Sequence, residues 1–307
     1  MKIFIHIGAH KTGSTYIQKV LHKNSELLIK NGFFYQTNTP EEFNHNSITL
    51  LFSDHEANRD YLLDIFGSYI DRALKAKCHT LIFSAEMFIE RMNIDFDFFH
   101  SIFFGHQLKI IAYIRRPDEI IRSSHNQIVR DLKWPRDVKE RPYAYDPSYF
   151  DLFGQWIKNF LPGDLIICPY DIQQFKNNNI VLDFLSVIGL KKTLPLNLNI
   201  IDTEANNSLP DTLLEVLRLS NAVLNLSDID QTKWVNALSA LKIQFPELYP
   251  NHDRYMTRKQ RKECFEALED KIYLYRPYFR EGFDEDYLQW RSLTITEIFK
   301  KLKKAVE

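Results

Sequence analysis

The sequence predicts an α/β fold, with a parallel sheet flanked by helices and a helical C-terminal extension. Short apolar runs alternate with segments of helical periodicity, and continuous apolar strands are typical of a sheet that is covered on both faces. The first apolar run leads directly through a glycine-bearing turn into a helix. After Gly189 the strand pattern stops and the remaining residues have a helical pattern.

Five apolar runs predict the strands, at residues 3–7, 33–36, 80–84, 108–114 and 165–168. Apolar residues at i, i+3/i+4 spacing predict a short helix over 24–31, with Asn24 as a candidate cap, and a long helix over about 56–75. Strands that alternate with helices imply right-handed crossovers. Ligand sites in such sheets lie beyond the carboxyl ends of the strands. We therefore expect the functional residues just after Ile7, Ser84, Ile114 and Cys168.

A chain of 307 residues is long enough for one large α/β domain or two smaller ones. We expect one domain over 1–307, with an α/β core at 1–190 and a helical extension at 191–307, since no linker is evident. Ser208-Leu209-Pro210-Asp211 resembles a capping-box start, and Thr257 is a second candidate cap.

Composition narrows the classes of partner. The net charge of −1 gives no electrostatic case for binding nucleic acid or an anionic membrane. The three cysteines are isolated, which favours a reduced compartment and no zinc site. No signal-peptide pattern and no run of about 20 apolar residues is present. We therefore expect a soluble, cytoplasmic protein without a membrane span.

The turn after the first strand, Gly8-Ala9-His10-Lys11-Thr12-Gly13-Ser14-Thr15, predicts an anion site. A strand, a glycine-bearing turn and a helix start direct backbone N–H groups and the positive end of a helix at an anion. In the nucleotide-hydrolysing P-loop the lysine directly follows the second glycine. Here the lysine precedes Gly13 by two residues. The turn is therefore P-loop-like, with a displaced lysine.

This turn resembles the 5′-phosphosulfate loop of sulfotransferases that use 3′-phosphoadenosine 5′-phosphosulfate (PAPS), roughly P-K-[ST]-G-[ST]-[ST], with His10 replacing the proline. The form His-x-Gly-x-His-Lys-Thr-Gly-[ST]-Thr is typical of bacterial members. The resemblance implies that Lys11 meets the bridging oxygen that leaves with the nucleotide. It also implies a cradle for the 5′-phosphate, formed by Thr12, Gly13, Ser14, Thr15 and Tyr16, and a nucleotide-binding role for residues 1–190.

A second stretch, from Tyr113 to His125, is similar to the 3′-phosphate motif of that family, roughly R-[NR]-P-x-[DE]-x-x-x-S. The match implies that Arg115 and Ser123 bind the 3′-phosphate, with Ser124 as the alternative serine. Arg116 and Arg122 are expected to face solvent or an acidic substrate. A softer match covers residues 165–172 and 180–190, with cysteine where many relatives carry arginine.

A base must remove the proton of the acceptor hydroxyl. The leading candidate is Glu86, two residues beyond the predicted strand end at Ser84, and the alternative is His45. Residues 130–150 carry Trp134, Tyr143 and Tyr145, which could stack on a sugar, and the basic residues Lys133, Arg136, Lys139 and Arg141, which could meet an acidic group. They are either a substrate lid or an ordinary solvated loop.

Together these features predict a PAPS-dependent sulfotransferase that moves a sulfuryl group to a hydroxyl or amine acceptor, without a metal. A carbohydrate acceptor is the leading expectation from the resemblance, and a small molecule is the other. Two alternatives are a P-loop small-molecule kinase and a non-catalytic nucleotide-binding module. The sequence leaves the acceptor and the oligomeric state open.

Overall fold

A computed structural model describes residues 1–39, 41–89, 94–137, 151–190, 194–196, 208–224, 227–245, 257–266 and 269–288. Its five strands are β1 Lys2–His6, β2 Phe33–Phe34, β3 Thr80–Ser84, β4 Gln107–Ile114 and β5 Leu165–Pro169. They form one parallel sheet in the order β2-β3-β1-β4-β5. The predicted α/β fold with a parallel sheet is confirmed. Only β2 is notably shorter than predicted.

Helices flank the sheet and make up most of the described part of the extension. They are α1 Ser14–Lys23, α2 Ser25–Lys30, α3 Asn46–Thr49, α4 Arg59–Lys75, α5 Phe96–Ile102, α6 Pro117–Asp131, α7 Gly154–Asn159, α8 Ile180–Val187, α9 Asp211–Val223, α10 Asp228–Gln244, α11 Arg258–Glu266 and α12 Glu269–Tyr275. The long predicted helix is α4, which begins three residues later than expected. No helix in the described ranges is both long and apolar enough to cross a membrane.

Both faces of the sheet are covered by apolar side chains. Alternation along β1 places Ile3 and Ile5 in the cluster with α4 and α5, and places Phe4 in the cluster with α1 and α8. All three side chains are almost completely buried. This double burial explains why the strands have continuous apolar runs rather than alternating ones.

The first helices of the extension pack on α6, whereas α12 packs against the sheet and the Arg280 N–H donates to the Ile167 carbonyl of β5 at 2.9 Å. Leu213 and Leu217 of α9 lie in one buried cluster with Ile121 and Val129 of α6. The N-cap of α9 is Pro210, without a side-chain hydrogen bond, so the predicted capping box does not form. The predicted cap at Thr257 does form, because its Oγ1 accepts a hydrogen bond from the Gln260 N–H at 3.2 Å.

The strand order fixes where a ligand site lies. β1 is central, and the chain first builds β2 and β3 on one side before crossing to β4 and β5 on the other. Beyond the carboxyl end of β1 the connections diverge, which leaves a crevice at this topological switch point. The glycine-bearing turn follows β1 and therefore lies in that crevice.

Candidate functional site

The turn after β1 adopts a tightly wound backbone. Gly8, Lys11 and Gly13 all have left-handed backbone angles, with φ values of 51°, 67° and 76°. The Thr12 side chain is fully buried, and its hydroxyl donates to the Ala9 carbonyl at 2.5 Å. Thr12 therefore holds the turn closed through its side chain and is available to a ligand only through its backbone.

Glycine is required at two of these positions by space as well as by φ. A Cβ at Gly8 would come within 2.8 Å of Ser14 Oγ and 2.9 Å of Glu86 Cβ. A Cβ at Gly13 would come within 3.0 Å of both Ile180 and Tyr170. Because Gly13 is the N-cap of α1 and supplies no capping side chain, the first-turn N–H groups of α1 face the crevice.

Ser14, the first residue of α1, carries a buried hydroxyl without a partner. Its exposed fraction is 2%, and Oγ makes no hydrogen bond to any described residue. Ser14 nevertheless lines the crevice. A buried hydroxyl usually finds a partner, so this group fits a ligand oxygen held against the start of α1.

Lys11 extends from the same turn into the crevice. Burial lowers the pKa of Lys11, the carboxylates of Asp131 and Glu86 raise it, and the guanidinium groups of Arg130 and Arg115 lower it further. Several charged groups thus meet around one partly desolvated ammonium. A bound anion would stabilise the charged form of a partly buried ammonium more than that of an exposed one.

The end of β4 and the start of α6 place Arg115 beside the turn. Its Nη1 donates to the Lys11 carbonyl at 2.9 Å, its Nε donates to Glu119 at 3.1 Å, and its guanidinium lies 4.9 Å from the centre of the Tyr170 ring. Ser123 lies two turns into α6 and lines the crevice, whereas Ser124 is not among the lining residues. The structure therefore brings Arg115 and Ser123 to the same crevice as Lys11.

The two candidate bases occupy different environments. Glu86 begins a short 3₁₀ turn after β3, lines the crevice and lies near enough to affect the Lys11 pKa. His45 is 2% exposed and is not among the crevice-lining residues. Its Nε2 is hydrogen-bonded to the Gln36 carbonyl at 2.9 Å, and its Nδ1 accepts from the Ser84 N–H at 3.2 Å. Burial lowers its pKa to about 4.

The crevice has a volume of about 900 Å³ and is lined by four parts of the chain. These are the β1 turn with Glu86, the α6 face, Tyr170 and Ile180 after β5, and Ser208, Leu209 and Lys242 of the extension. Sequence reasoning missed the last part and Asn126 of α6, and it included Arg130 and Asp131 only within the stretch 130–150 that was expected to be either a substrate lid or a solvated loop. The spacing of Ser123, Asn126 and Arg130 was a usable signal for one helix face, but nothing in the sequence brings Lys242 to this site.

Arg116 and Arg122 are held in ion pairs within the fold. Arg116 binds Asp118 and Arg122 binds Asp211, at 3.0 and 3.1 Å, and both carboxylates are 3% exposed. Arg122 also lines the crevice. Trp134 packs against the α6–extension cluster. Tyr143, Tyr145, Lys139 and Arg141 lie outside the described residues.

Comparison with known proteins gives three findings. No family model matches the chain. An uncharacterized protein of Archaeoglobus fulgidus is 30% identical over 171 residues, which are 56% of this chain and 46% of that protein, so the chain spans about half the length of this relative. The sulfotransferase domain from the curacin biosynthetic pathway is similar in structure with a TM-score of 0.41 and 15% identity, covering 87% of this chain and 97% of that one. At this TM-score the likeness carries no argument about function.

Proposed function

We propose that the protein is a sulfotransferase that takes PAPS as donor and a hydroxyl or amine acceptor, with a carbohydrate as the leading class. The observation that carries the proposal is the convergence of two anion-binding sets in one crevice. Lys11 lies on the turn before α1 and Ser14 is the first residue of that helix; Arg115 lies just before α6 and Ser123 two turns into it. Two separated sets suit a nucleotide with phosphates on both its 5′ and 3′ positions.

The first set fits a 5′-phosphosulfate. The unpartnered Ser14 hydroxyl and the first-turn N–H groups of α1 would hold phosphate oxygens. When bound, the donor supplies a sulfuryl group on a good phosphate leaving group. The Lys11 ammonium would stabilise the negative charge that develops on the leaving oxygen. Thr12 contributes by keeping the turn closed.

The second set fits a 3′-phosphate. The Arg115 guanidinium is held against Tyr170 and the Lys11 carbonyl, so little side-chain freedom remains to be lost on binding. A bidentate contact from Arg115 and a hydroxyl from Ser123 are suited to a phosphate monoester. We propose Glu86 as the base, since it lies in the crevice beside Lys11. His45 remains the alternative prediction for the base. The enclosure of its ring does not favour that role.

Nucleotide binding tests the proposal without knowledge of the acceptor. We expect 3′-phosphoadenosine 5′-phosphate (PAP) to bind at least tenfold more tightly than ADP, with no requirement for Mg²⁺, in a calorimetric titration. Comparable affinities, or binding of ADP that depends on Mg²⁺, would instead favour the small-molecule kinase. Selective PAP binding without transfer of labelled sulfate to any of a broad acceptor panel would favour the non-catalytic module.

Glu86→Gln and His45→Gln distinguish the two candidate bases. Glu86→Gln should lower single-turnover transfer about 10²-fold or more and leave PAP affinity within a few-fold, because the amide keeps the shape of the side chain but accepts no proton. His45→Gln should affect folding stability more than turnover. The reverse pattern, in which a stable His45 variant loses transfer, would assign the base to His45.

A further inference from the structure

One face of α6 lines the crevice beyond the proposed 3′-phosphate set. Glu119, Ser123, Asn126 and Arg130 follow each other at three- and four-residue steps and all line the crevice. Seven residues of α-helix separate Ser123 from Arg130, a rise of about 10 Å. Arg130 therefore starts from a backbone position about two turns beyond Ser123 of the proposed 3′-phosphate set.

Arg130 differs from Arg122 of α6 and from Arg115 and Arg116, which directly precede that helix. Arg115, Arg116 and Arg122 each donate a hydrogen bond to a carboxylate at 3.0 to 3.1 Å. The contact of Arg130 with Asp131 is 3.6 Å, beyond hydrogen-bonding distance. Its side chain is only 15% exposed, and its buried Nε has no hydrogen-bond partner among the described residues. A mostly buried guanidinium with an N–H donor that has no hydrogen-bond partner is suited to an anionic ligand.

Arg130 shares the crevice with the groups proposed to act at the acceptor. Lys11, Glu86 and Arg130 all line it. In the proposed reaction Lys11 and Glu86 flank the atoms that react. A group bound by Arg130 would therefore lie beside the reacting hydroxyl, while the two donor phosphates have their own sets at Ser14 and Ser123.

The backbone around Arg130 is fixed by the extension. The Gln231 side chain of α10 donates to the Arg130 carbonyl at 3.3 Å. One turn earlier, Asn126 makes two hydrogen bonds with the Leu209 backbone. These contacts hold the C-terminal turn of α6 at the crevice, so Arg130 is presented from a supported helix rather than from a free loop.

We propose that Arg130 binds a carboxylate, sulfate or phosphate group of the acceptor, and that the protein therefore selects anionic acceptors. This inference rests on the proposed sulfotransferase function and adds the substrate class. It assigns Arg130 a role in specificity: the reaction at the hydroxyl is left to Lys11 and Glu86, and Arg130 orients the molecule that carries the hydroxyl.

Paired acceptors test the inference. The probes are oligosaccharides that contain glucuronic acid and sugar phosphates, each with its neutral counterpart, assayed with sulfur-labelled PAPS. We expect the wild type to favour the acidic members at least tenfold in kcat/KM. Arg130→Gln should remove most of that preference, chiefly through KM, while use of the neutral members changes little. Arg130→Lys should restore part of it, because the charge returns without the bidentate geometry.

PAP titration and a matched variant distinguish a loss of acceptor selection in Arg130→Gln from weaker donor binding and from a general effect of removing a positive charge. PAP affinity of Arg130→Gln should stay within twofold of the wild type. Lys158→Gln removes one positive charge from an exposed site on α7 and should change neither the acceptor preference nor the PAP affinity.

Three outcomes of the acceptor test would overturn the inference. They are equal use of acidic and neutral acceptors by the wild type, transfer to neither, and an equal loss of transfer to both members of a pair in Arg130→Gln. Selective PAP binding with transfer to neutral acceptors alone would overturn it and leave the proposed function standing. Loss of PAP selectivity in the wild type would overturn both.

Discussion

Lys11 has an unusual backbone conformation, is partly buried and has several charged groups near its ammonium. Its left-handed backbone is unusual for a residue with a side chain and is held by the Arg115 contact to its carbonyl. Removal of the ammonium should therefore affect ligand chemistry more than folding. We expect Lys11→Ala to lower transfer at least 10³-fold and to change the free energy of unfolding by less than about 1 kcal/mol. Turnover near the wild-type rate would contradict the role proposed for Lys11.

The pH dependence of PAP binding is a second prediction for Lys11. Burial lowers its pKa below the ordinary value of 10.5. The charged form binds the anion, so affinity should be constant below that lowered pKa and fall as the pH rises through it. Lys11→Arg should lose this alkaline decline, since guanidinium stays protonated there. The measurement is PAP affinity from pH 7 to 10.5, and an identical decline in both proteins would contradict it.

At the scale of elements, the β1 turn depends on two glycines whose Cβ positions are crowded, Gly8 more tightly than Gly13. Gly13→Ala combines a left-handed φ with contacts of 3.0 Å to Ile180 and Tyr170. We expect it to lower PAP affinity at least tenfold and the free energy of unfolding by roughly 1–3 kcal/mol. Titration with PAP and chemical denaturation measure the two effects.

A matched glycine provides the control for that variant. Gly67 lies inside α4, and a Cβ there meets nothing within 4 Å. Gly67→Ala should therefore stabilise the protein by roughly 0.5–1 kcal/mol and leave PAP binding unchanged. If both alanine variants bind PAP like the wild type, the turn does not hold the nucleotide.

The connection between α6 and the extension is also testable. Asn126 Nδ2 donates to the Leu209 carbonyl at 2.8 Å, and Asn126 Oδ1 accepts from the Leu209 N–H at 3.3 Å. Asn126→Ala leaves two buried backbone groups without these partners and should cost roughly 2–3 kcal/mol in thermal or chemical unfolding. Asn159→Ala, which removes a comparable contact at an exposed position of α7, should cost less than about 0.5 kcal/mol. Equal effects would contradict a structural role for the Asn126 contact.

Elements with strong local signals were predictable from the sequence. Thr80–Ser84 is the predicted strand without change, because continuous apolar β-branched and aromatic residues suit a doubly covered sheet. Caps were less predictable: Asn24 Nδ2 donates back to the Val20 carbonyl rather than capping α2. Of the site, the turn and Arg115 follow from local sequence. Arg130 and Lys242 do not, since their position depends on how distant helices pack.

For the whole molecule, two buried histidines predict loss of stability in acid. Burial lowers the pKa of His6 to about 3 and that of His45 to about 4. Between pH 6.5 and about 4 the unfolded chain takes up protons at both positions while the folded protein does not, so stability falls as the pH falls. At pH 5 each histidine costs roughly 2 kcal/mol relative to pH 8.

Denaturation curves at pH 8 and pH 5 check this prediction. The wild type should lose about 4 kcal/mol from these two residues, and His45→Gln should lose about half as much over the same interval. His45→Gln is the better variant because glutamine can both donate to the Gln36 carbonyl and accept from the Ser84 N–H. An unchanged pH dependence in this variant would show that His45 is not a source of the effect.

The position of β1 in the centre of the sheet has a consequence for folding. Lys2 pairs with Thr80 on one side and with Gln107 on the other, so both neighbours of β1 come from much later in the chain. Such non-local pairing is slow, because long loops must close before their contacts form. On the ribosome, at about 5–20 residues per second, β4 emerges several seconds after β1. The turn after β1 is therefore synthesised well before the segments that form its walls.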